Sequence, residues 1–194
     1  MYHNLQPLCL ASGSPRRRDL LSRLGLQFSV VPAAIPEEVG AGELPDSFAR
    51  RLALAKAEAG ASAGWTLAAD TIVVMEEHIL GKPENRERAF AMLEFLSGRC
   101  HQVITAVALH HAGRGLSYVF QDTTAVEFIP LSERLIKAYL ATGEADDKAG
   151  AYAFQGLGAA FIRRISGCPT TVIGLPLPAT LKLLLQQGII AVVH

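Results

Sequence analysis

The sequence predicts a mixed α/β fold, a mixed β-sheet with flanking helices, in which residues 1–194 form a single domain. Short apolar runs, typical of buried strands, alternate with segments whose apolar residues recur at helical spacing. Two long β-rich runs flank a turn that contains two glycines, which predicts a hairpin. The 194-residue chain is 50% hydrophobic and 19% charged, the composition of a globular protein. This length allows a sizeable core, with two lobes around a cleft as one arrangement.

The first half of the chain is predicted to alternate between strands and helices. The predicted elements are a strand over 8–11, a helix over 16–24, a strand over 28–31, a loop over 32–45, a helix over 46–59 and a strand over 67–75. Gly25 is expected to stop the first helix, because glycine is favoured just after a helix end. Asp46 is expected to cap the second helix, because its carboxylate can accept a bond from a first-turn amide.

The second half is predicted to contain the hairpin, two further helices and a long polar loop. The predicted elements are a turn at 81–83, a helix over 86–96, strands over 102–110 and 117–128, a helix from Ser132 to 141, a glycine-rich loop over 143–158, a strand over 159–165, and a last helix that Gly174-Leu175-Pro176 opens and that ends near Gln187. The apolar run 188–193 is assigned to the core in preference to a dimer surface.

Charge and cysteine content narrow the classes of protein that fit. Eighteen basic residues balance eighteen acidic ones, so the chain lacks the basic excess of a general nucleic-acid or membrane-surface binder. The three cysteines, 9, 100 and 168, are widely spaced and form no CxxC pair, which indicates free thiols in a reducing compartment. No apolar run reaches the ~20 residues of a membrane span, and no leader pattern is visible. We therefore expect a cytoplasmic protein.

The segment Ser12-Gly13-Ser14-Pro15-Arg16-Arg17-Arg18 lies between the first strand and the first helix. Proline suits the first helical turn, where the free N–H groups and the helix dipole attract anions. With Arg16 and Arg17 beside them, these groups would form a site for a polyphosphate. A basic, solvated first turn is an equally good interpretation of this segment alone.

Asp70 is the strongest single candidate for a functional residue. It lies in Thr66-Leu67-Ala68-Ala69-Asp70-Thr71-Ile72-Val73-Val74, which otherwise has the composition of a core strand. A carboxylate in such a place loses its hydration unless it is paired, hydrogen-bonded or bound to a metal. The alternative is a strand-end aspartate that the backbone or a lysine satisfies, and function is favoured over that alternative.

Other charged residues have a plainer interpretation beside a functional one. Glu37 and Glu38 could supply a second carboxylate, although a pair of loop glutamates is usually solvated surface. Lys56 lies on an apolar helix, where a snorkelling lysine is the better interpretation without further context. Lys82 is held in the Gly81-Lys82-Pro83 turn. Asp147 and Lys148 could simply pair with each other at the surface.

Together these residues form an inventory suited to phosphoryl chemistry. Carboxylates hold Mg²⁺, which bridges phosphate oxygens, while arginine and lysine neutralise the remaining phosphate charge. The sequence contains neither a P-loop nor a G-x-G-x-x-G fingerprint, so P-loop NTPases and dinucleotide dehydrogenases do not fit. It also lacks the G-x-S-x-G elbow of serine hydrolases and any histidine spacing typical of zinc sites.

Six ordered motifs make the chain resemble the Maf family of nucleoside triphosphate pyrophosphatases. The motifs are Ser12-Gly13-Ser14-Pro15-Arg16-Arg17, Ala69-Asp70-Thr71, Gly81-Lys82-Pro83, Asp147-Lys148-Ala149-Gly150-Ala151-Tyr152, Gln155-Gly156 and Gly174-Leu175-Pro176. The resemblance implies a strongly bent mixed sheet with two lobes, related to the inosine triphosphatase fold, and a homodimer. It also implies metal-dependent cleavage between the α- and β-phosphates, which gives a nucleoside monophosphate and pyrophosphate.

The resemblance also implies roles for individual residues. Asp70 would accept the proton of the attacking water or hold the metal. Glu38 would help to bind that metal, a divalent cation such as Mg²⁺, Mn²⁺ or Co²⁺. The implied substrate-binding residues are Ser12, Arg16, Arg17, Lys56, Thr71, Lys82 and Gln155.

Three of these positions resemble the dTTP/UTP branch of the family, namely Arg16, Thr71 and Gln155. An amide such as that of Gln155 offers both a donor and an acceptor to a neutral pyrimidine. The remaining alternatives are 7-methyl-GTP or damaged purines as substrates, and a non-enzymatic regulator of cell division that binds nucleotide. Ala153 stands where the family usually has glycine, and a φ above zero there would strain the alanine.

Overall fold

The computed structural model describes residues 1–193 and confirms a mixed α/β architecture. The helices are α1 (Pro15–Ser22), α2 (Pro45–Ala59), α3 (Arg86–Leu96), α4 (Glu133–Leu140), α5 (Pro169–Ile173) and α6 (Leu177–Gln186). The strands are β1 (Tyr2–Asn4), β2 (Leu8–Leu10), β3 (Ser29–Val30), β4 (Trp65–Met75), β5 (His78–Leu80), β6 (Cys100–His111), β7 (Leu116–Phe128), β8 (Ile162–Ser166) and β9 (Ile190–Val192). None of the helices within residues 1–193 is long and apolar enough to cross a membrane.

The strands form a seven-stranded mixed sheet and a small two-stranded sheet. The larger sheet has the order β3-β2-β4-β6-β7-β8, and β5 pairs with β4 outside that path. β2 is parallel to both β3 and β4, whereas β5 is antiparallel to β4 and β8 is antiparallel to β7. β1 and β9 pair antiparallel, with His3 opposite Ala191. The run 188–193 therefore belongs in part to the core, since Ile190 is buried while Val192 is half exposed.

The described chain divides into two compact units. The first contains Met1–Asp70, Thr105–Asp122 and the residues from Gly174 onward, and the second contains Thr71–Ile104 and Thr123–Ile173. Each unit has buried apolar side chains of its own. The prediction of a single domain with a cleft stays a prediction.

An aromatic cluster occupies the core of the second unit. His101 is buried and its Nε2 lies 2.9 Å from the hydroxyl of Tyr152. Phe128 makes T-shaped contacts with both rings, with centroids 4.9 Å from His101 and 4.8 Å from Tyr152. Burial lowers the pKa of His101 to about 4 and raises the pKa of Tyr152. Both side chains are therefore uncharged at neutral pH, and the cluster is held together by packing and one hydrogen bond.

Helix starts in the structure agree only partly with the predicted caps. Ser132 does cap α4, since its side chain accepts a bond from the amide of Leu135. The prediction that Asp46 caps α2 is wrong, because the helix begins one residue earlier, at Pro45, and Leu44 takes the capping position. Proline lacks the N–H that a cap would satisfy and is pre-set for the first helical position.

The predicted strand over 159–165 is also wrong in its first half. Leu157–Phe161 form a short 3-10 turn, and the strand begins at Ile162. The amides of Leu157 and Gly158 donate to the carboxylate of Glu144 instead of to a neighbouring strand. Apolar content alone predicts a strand over 159–161, whereas these residues continue the 3-10 turn that begins at Leu157.

The glycine-rich loop carries its unusual backbone at Ala151 and not at Ala153. Among the described residues, the non-glycine residues with φ above zero are Glu76, Glu77 and Ala151, the last at 60°. Ala153 is not one of them, so the replacement of glycine there introduces no left-handed strain beside Gln155.

Candidate functional site

The loop before α1 places Ser12, Ser14 and Arg17 together. Ser14 caps the helix, its Oγ accepting from the amide of Arg17, and Pro15 occupies the first helical position. Ser12 Oγ in turn accepts from the amide of Ser14 at 3.2 Å and from Arg17 Nη1 at 3.4 Å. The Ser14 hydroxyl therefore binds an amide that the sequence predicts to be free for an anion, so that part of the prediction is wrong.

Arg17 is anchored from its other side by the main chain. Its Nε donates to the carbonyl of Gly174 at 2.9 Å, which joins α1 to the Gly174-Leu175-Pro176 motif within the first unit. Loss of hydration lowers the pKa of Arg17; the negative charges of Asp70 and Glu37 oppose that shift and the positive charge of Arg16 adds to it. The arginine of the predicted anion site is thus held in place beside two carboxylates.

Lys56 joins the two carboxylates that flank it. Its Nζ lies 2.6 Å from Asp70 Oδ1 and 2.6 Å from Glu37 Oε1. Asp70 is 5% exposed and Lys56 is 8% exposed, whereas the side chain of Glu37 is 41% exposed. Lys56 belongs to the buried face of α2, and Asp70 lies in the middle of β4. The burial predicted for Asp70 is confirmed. A lysine satisfies its carboxylate, as the alternative interpretation has it, so a role for Asp70 in chemistry stays a prediction.

This geometry corrects the interpretation of Lys56 as a snorkelling lysine. A snorkelling side chain keeps its ammonium in water, whereas the ammonium of Lys56 is buried between carboxylates. Removing two opposite charges from water is rarely favourable for stability alone, because the loss of hydration offsets most of the attraction. A buried pair next to an anchored arginine is therefore a candidate for chemistry.

A clamp on α2 holds the acidic loop that supplies Glu37. Arg51 donates two bonds of 2.7 Å to the two carboxylate oxygens of Glu43, and its Nη2 also donates to the main-chain oxygen of Glu38 at 2.9 Å. Glu43 accepts a further bond from the amide of Gly40. The bonds from Arg51 and Gly40 lower the pKa of Glu43 to about 2. Sequence reasoning missed this clamp, and the charge spacing on a single helix could not have revealed it.

Asp70 and Glu37 are the carboxylates of this cluster, and both bind Lys56 Nζ. Within residues 1–193 there is no group of three or more His, Cys, Asp or Glu side chains that could hold a metal. Mg²⁺ usually takes one or two carboxylates and completes its shell with water and phosphate oxygens. Because an ammonium lies between these two carboxylates, metal binding by Asp70 stays a prediction.

The remaining predicted residues lie in the second unit or on the surface of the first. Thr71 follows Asp70 in β4 and is half-buried, while Lys82 and Gln155 are exposed. Arg16 is half-buried in the first turn of α1. The carboxylate of Glu38 is exposed, so its proposed role in metal binding stays a prediction.

Two features of the second unit agree with the motifs. Asp147 and Lys148 form an ion pair, as their adjacent positions predict. The amide of Gly150 donates to the carbonyl of Gly81 at 3.1 Å, which ties the Gly81-Lys82-Pro83 turn to the glycine-rich loop. Gly150 has a φ of 68°, and an added Cβ would lie 2.9 Å from Val73, so both its backbone and its surroundings require glycine.

The clustered groups of the first unit could bind a phosphate-bearing ligand and accept a proton beside it. Arg17 and Lys56 supply positive charge, and Asp70 supplies a carboxylate. Arginine in particular binds phosphate through paired N–H groups. Arg17 is half-buried and bonded to the main chain, so a fully solvated first turn does not describe it, whereas anion binding stays a prediction.

Comparison with known proteins gives consistent matches over nearly the whole chain. The family model described as "Maf-like protein" matches residues 7–187. A dTTP/UTP pyrophosphatase of Syntrophomonas wolfei is 47% identical over 182 residues, which are 92% of this chain and 96% of the relative. A dTTP/UTP pyrophosphatase of Desulfotalea psychrophila is 44% identical over 195 residues, covering 99% and 100% of the two chains.

One further curated relative and one solved structure complete the comparison. A dTTP/UTP pyrophosphatase of Moorella thermoacetica is 47% identical over 188 residues, covering 95% of this chain and 97% of that protein. The solved structure of the Staphylococcus aureus Ham1 protein aligns with a TM-score of 0.48 at 14% identity, over 63% of this chain and 71% of that chain.

Proposed function

The chain belongs to the Maf family, and we propose that it hydrolyses dTTP and UTP between the α- and β-phosphates, releasing the nucleoside monophosphate and pyrophosphate. The observation that carries the proposal is the buried Asp70–Lys56 pair with Arg17 held beside it. The names of the relatives support the choice of dTTP and UTP.

The proposed reaction is an in-line displacement at the α-phosphorus. The oxygen of water forms a bond to that phosphorus while the bond to the α,β-bridging oxygen breaks, and pyrophosphate leaves with the electron pair. Asp70 accepts the proton of the water, which is the task of a general base. Arg16, Arg17, Lys56 and Lys82 are proposed to bind the phosphate oxygens, and Ser12 to keep Arg17 in place.

Lys56 has two proposed tasks because of its position. In the structure its ammonium donates to Asp70 and Glu37 at the same time. A triphosphate would offer it further acceptors, so Lys56 can orient the carboxylate of Asp70 and neutralise phosphate charge together. The carboxylate is thus held in one orientation before substrate arrives, which lowers the reorganisation needed in the transition state.

A divalent cation, Mg²⁺, Mn²⁺ or Co²⁺, is part of the proposal. Asp70 and the acidic pair Glu37-Glu38 would hold it, and it would supply charge neutralisation at the phosphate oxygens. Glu38 is the member of the pair that the family resemblance implies, whereas Glu37 is the one whose carboxylate meets Lys56.

Pyrimidine preference is proposed to depend on Arg16, Thr71 and Gln155. The Gln155 amide can match both a donor and an acceptor on a neutral pyrimidine edge.

A cytoplasmic homodimer without nucleic-acid or membrane partners completes the proposal. The described cysteines are all free thiols, which suits a reducing compartment. The equal numbers of acidic and basic residues oppose general binding to nucleic acid. Sedimentation of the purified protein would measure its oligomeric state.

Pyrophosphate release from a panel of nucleotides tests the proposed function. We expect turnover of dTTP and UTP to exceed that of the purine nucleotides, and to require a divalent cation. A preference for 7-methyl-GTP would contradict the pyrimidine assignment, and nucleotide binding without any turnover would favour a regulator.

The variant Asp70→Asn tests the proposed general base. It keeps the size of the side chain but removes its basicity, so pyrophosphate release should fall by about 10²–10⁴-fold. Asp19→Asn is the matched control, since Asp19 is exposed on α1 and should leave turnover unchanged. Equal turnover in Asp70→Asn and wild type would exclude Asp70 as the base.

A further inference from the structure

The segment that carries Gln155 is fastened on both sides of that residue. On one side, the amide of Ala153 donates to the hydroxyl of Tyr139 at 3.2 Å. On the other side, the amides of Leu157 and Gly158 donate to the carboxylate of Glu144 at 2.9 and 3.0 Å. The Tyr139 hydroxyl donates to Glu144 Oε1 at 3.0 Å, so the two attachments form one connected bracket.

The bracket also accounts for the glycine that follows Gln155. A Cβ added to Gly156 would lie 2.2 Å from Glu144 Oε2 and 2.4 Å from its carboxyl carbon. The backbone between the two attachments therefore passes directly over the carboxylate. Any larger residue at 156 would push the Glu144 carboxylate away from the amides it accepts from.

The electrostatic environment within the bracket favours an ionised Glu144 and a protonated Tyr139. Partial burial opposes ionisation of Glu144, but the amides of Gly158 and Leu157 and the Tyr139 hydroxyl outweigh it, and the pKa of Glu144 is lowered. Burial and the bond to Glu144 raise the pKa of Tyr139, which therefore stays protonated. A carboxylate that accepts several bonds is a firmer anchor than a neutral side chain.

We propose that Glu144 and Tyr139 are positioning residues that set the pyrimidine preference by fixing the backbone on both sides of Gln155. The inference rests on the proposed function, because that function assigns Gln155 to the base. Neither residue touches substrate in this scheme. They hold the Gln155 amide in one place, so that a base with the wrong donor and acceptor pattern is not accommodated by movement of the loop.

The test compares UTP with CTP in the variant Glu144→Gln. An amide cannot accept on both of its terminal atoms, so at least one amide among Leu157 and Gly158 loses its acceptor. We expect KM for UTP to rise about tenfold with kcat nearly unchanged, and the preference for UTP over CTP to fall by about tenfold. A purely structural defect would lower turnover of both nucleotides equally and leave their ratio intact.

Two further variants guard against misfolding and against an unspecific effect. Tyr139→Phe removes only the bridging hydroxyl and should move the UTP-to-CTP ratio in the same direction, by about threefold. Glu133→Gln on the same helix as Tyr139 breaks an exposed pair with Lys137 and should leave the ratio unchanged. Amide hydrogen exchange at 157 and 158 should quicken in Glu144→Gln and not in Glu133→Gln.

Binding of UMP and CMP by calorimetry separates this inference from the proposed function. If the wild type turns over neither UTP nor dTTP, the proposed function is wrong, and the UMP-to-CMP affinity ratio of the variants still decides the inference. An unchanged UTP-to-CTP ratio or UMP-to-CMP ratio in both Glu144→Gln and Tyr139→Phe would overturn it, whatever the activity of the wild type.

Discussion

Each of the two units contains one buried polar cluster, and the two clusters differ in charge. The first unit buries charge, where Lys56 lies between Asp70 and Glu37 and Arg17 stands close by. The second unit buries neutral groups, where His101 and Tyr152 share one hydrogen bond among aromatic rings.

The difference separates polar residues that stabilise the fold from those available for chemistry. A neutral histidine in an aromatic core adds packing and a hydrogen bond without removing charge from water. A buried ion pair loses most of its attraction to dehydration, so it is weak evidence for a stabilising role. The charged cluster is therefore the better place for the proposed reaction, although both clusters contain residues with a plausible catalytic side chain.

The largest expected effect comes from leaving the Asp70 charge without its partner. Lys56→Met should destabilise the protein by about 3–5 kcal/mol, because an uncompensated carboxylate would stay buried in β4. The double variant Lys56→Met/Asp70→Asn should recover a large part of that loss. Chemical denaturation of the variants measures both values.

The control for that experiment is Lys182→Met on the exposed face of α6. This exposed substitution should change stability by no more than about 0.5 kcal/mol. A loss below about 1 kcal/mol in Lys56→Met would contradict the distinction between the two clusters, since it would mean that Asp70 does not depend on Lys56.

The neutral cluster should make the stability of the protein depend on pH through His101. The pKa of His101 is about 4 in the folded protein against an ordinary value of 6.5, so the unfolded chain binds the proton more readily. Its contribution to stability is therefore complete above pH 6.5 and is lost as the pH falls through 4. By linkage the loss amounts to about 3 kcal/mol.

The variant His101→Gln isolates this contribution from that of the carboxylates. Glutamine can still bond to the Tyr152 hydroxyl but does not titrate, so the difference in stability between variant and wild type should shrink steadily from pH 6.5 to 4. Urea denaturation across this pH range measures it. A constant difference between the two proteins would show that His101 is not neutral in the folded state.

Much of the fold could be predicted from local sequence because the deciding contacts are local. Ser132 caps α4 with its own side chain, and the apolar run around Leu67 forms the buried strand β4. The error over 159–161 arises where the backbone continues a 3-10 turn whose first amides, at 157 and 158, donate to the distant Glu144. Such an acceptor leaves no periodic signal, so propensity alone predicts a strand after the loop.

Among the predicted site residues, Ser12 and Arg17 lie together and so do Lys56 and Asp70, but this pairing was not predictable. The apolar run around Asp70 correctly predicted a buried carboxylate that needs a partner. Helical spacing places Lys56 on an apolar face, yet it cannot show that the ammonium turns inward to a strand 14 residues away. The Arg51–Glu43 clamp could not be predicted for a similar reason, because both of its residues look like ordinary surface charges in the sequence.

The smallest expected effect concerns the clamp that holds the acidic loop beside the charged cluster. Glu43→Gln removes the charge that Arg51 grips while leaving Glu37 and Lys56 intact. KM for dTTP should rise about two- to threefold, because the loop that carries Glu37 is held less firmly; exposed pairs contribute little energy. The KM of the wild type for dTTP should rise by the same factor in about 0.5 M salt, where exposed charges are screened.

Glu58→Gln is the matched control, since Glu58 is exposed on α2 and lies about two helical turns after Arg51. Its KM for dTTP should equal that of the wild type at low and high salt. The two clusters would then differ in a second respect besides their charge. The charged cluster would depend on the salt-sensitive Arg51–Glu43 pair at the surface, and the neutral cluster would not. If the KM of the wild type for dTTP did not change with salt, this second difference would be contradicted. The Lys56–Asp70 pair alone would then orient the loop.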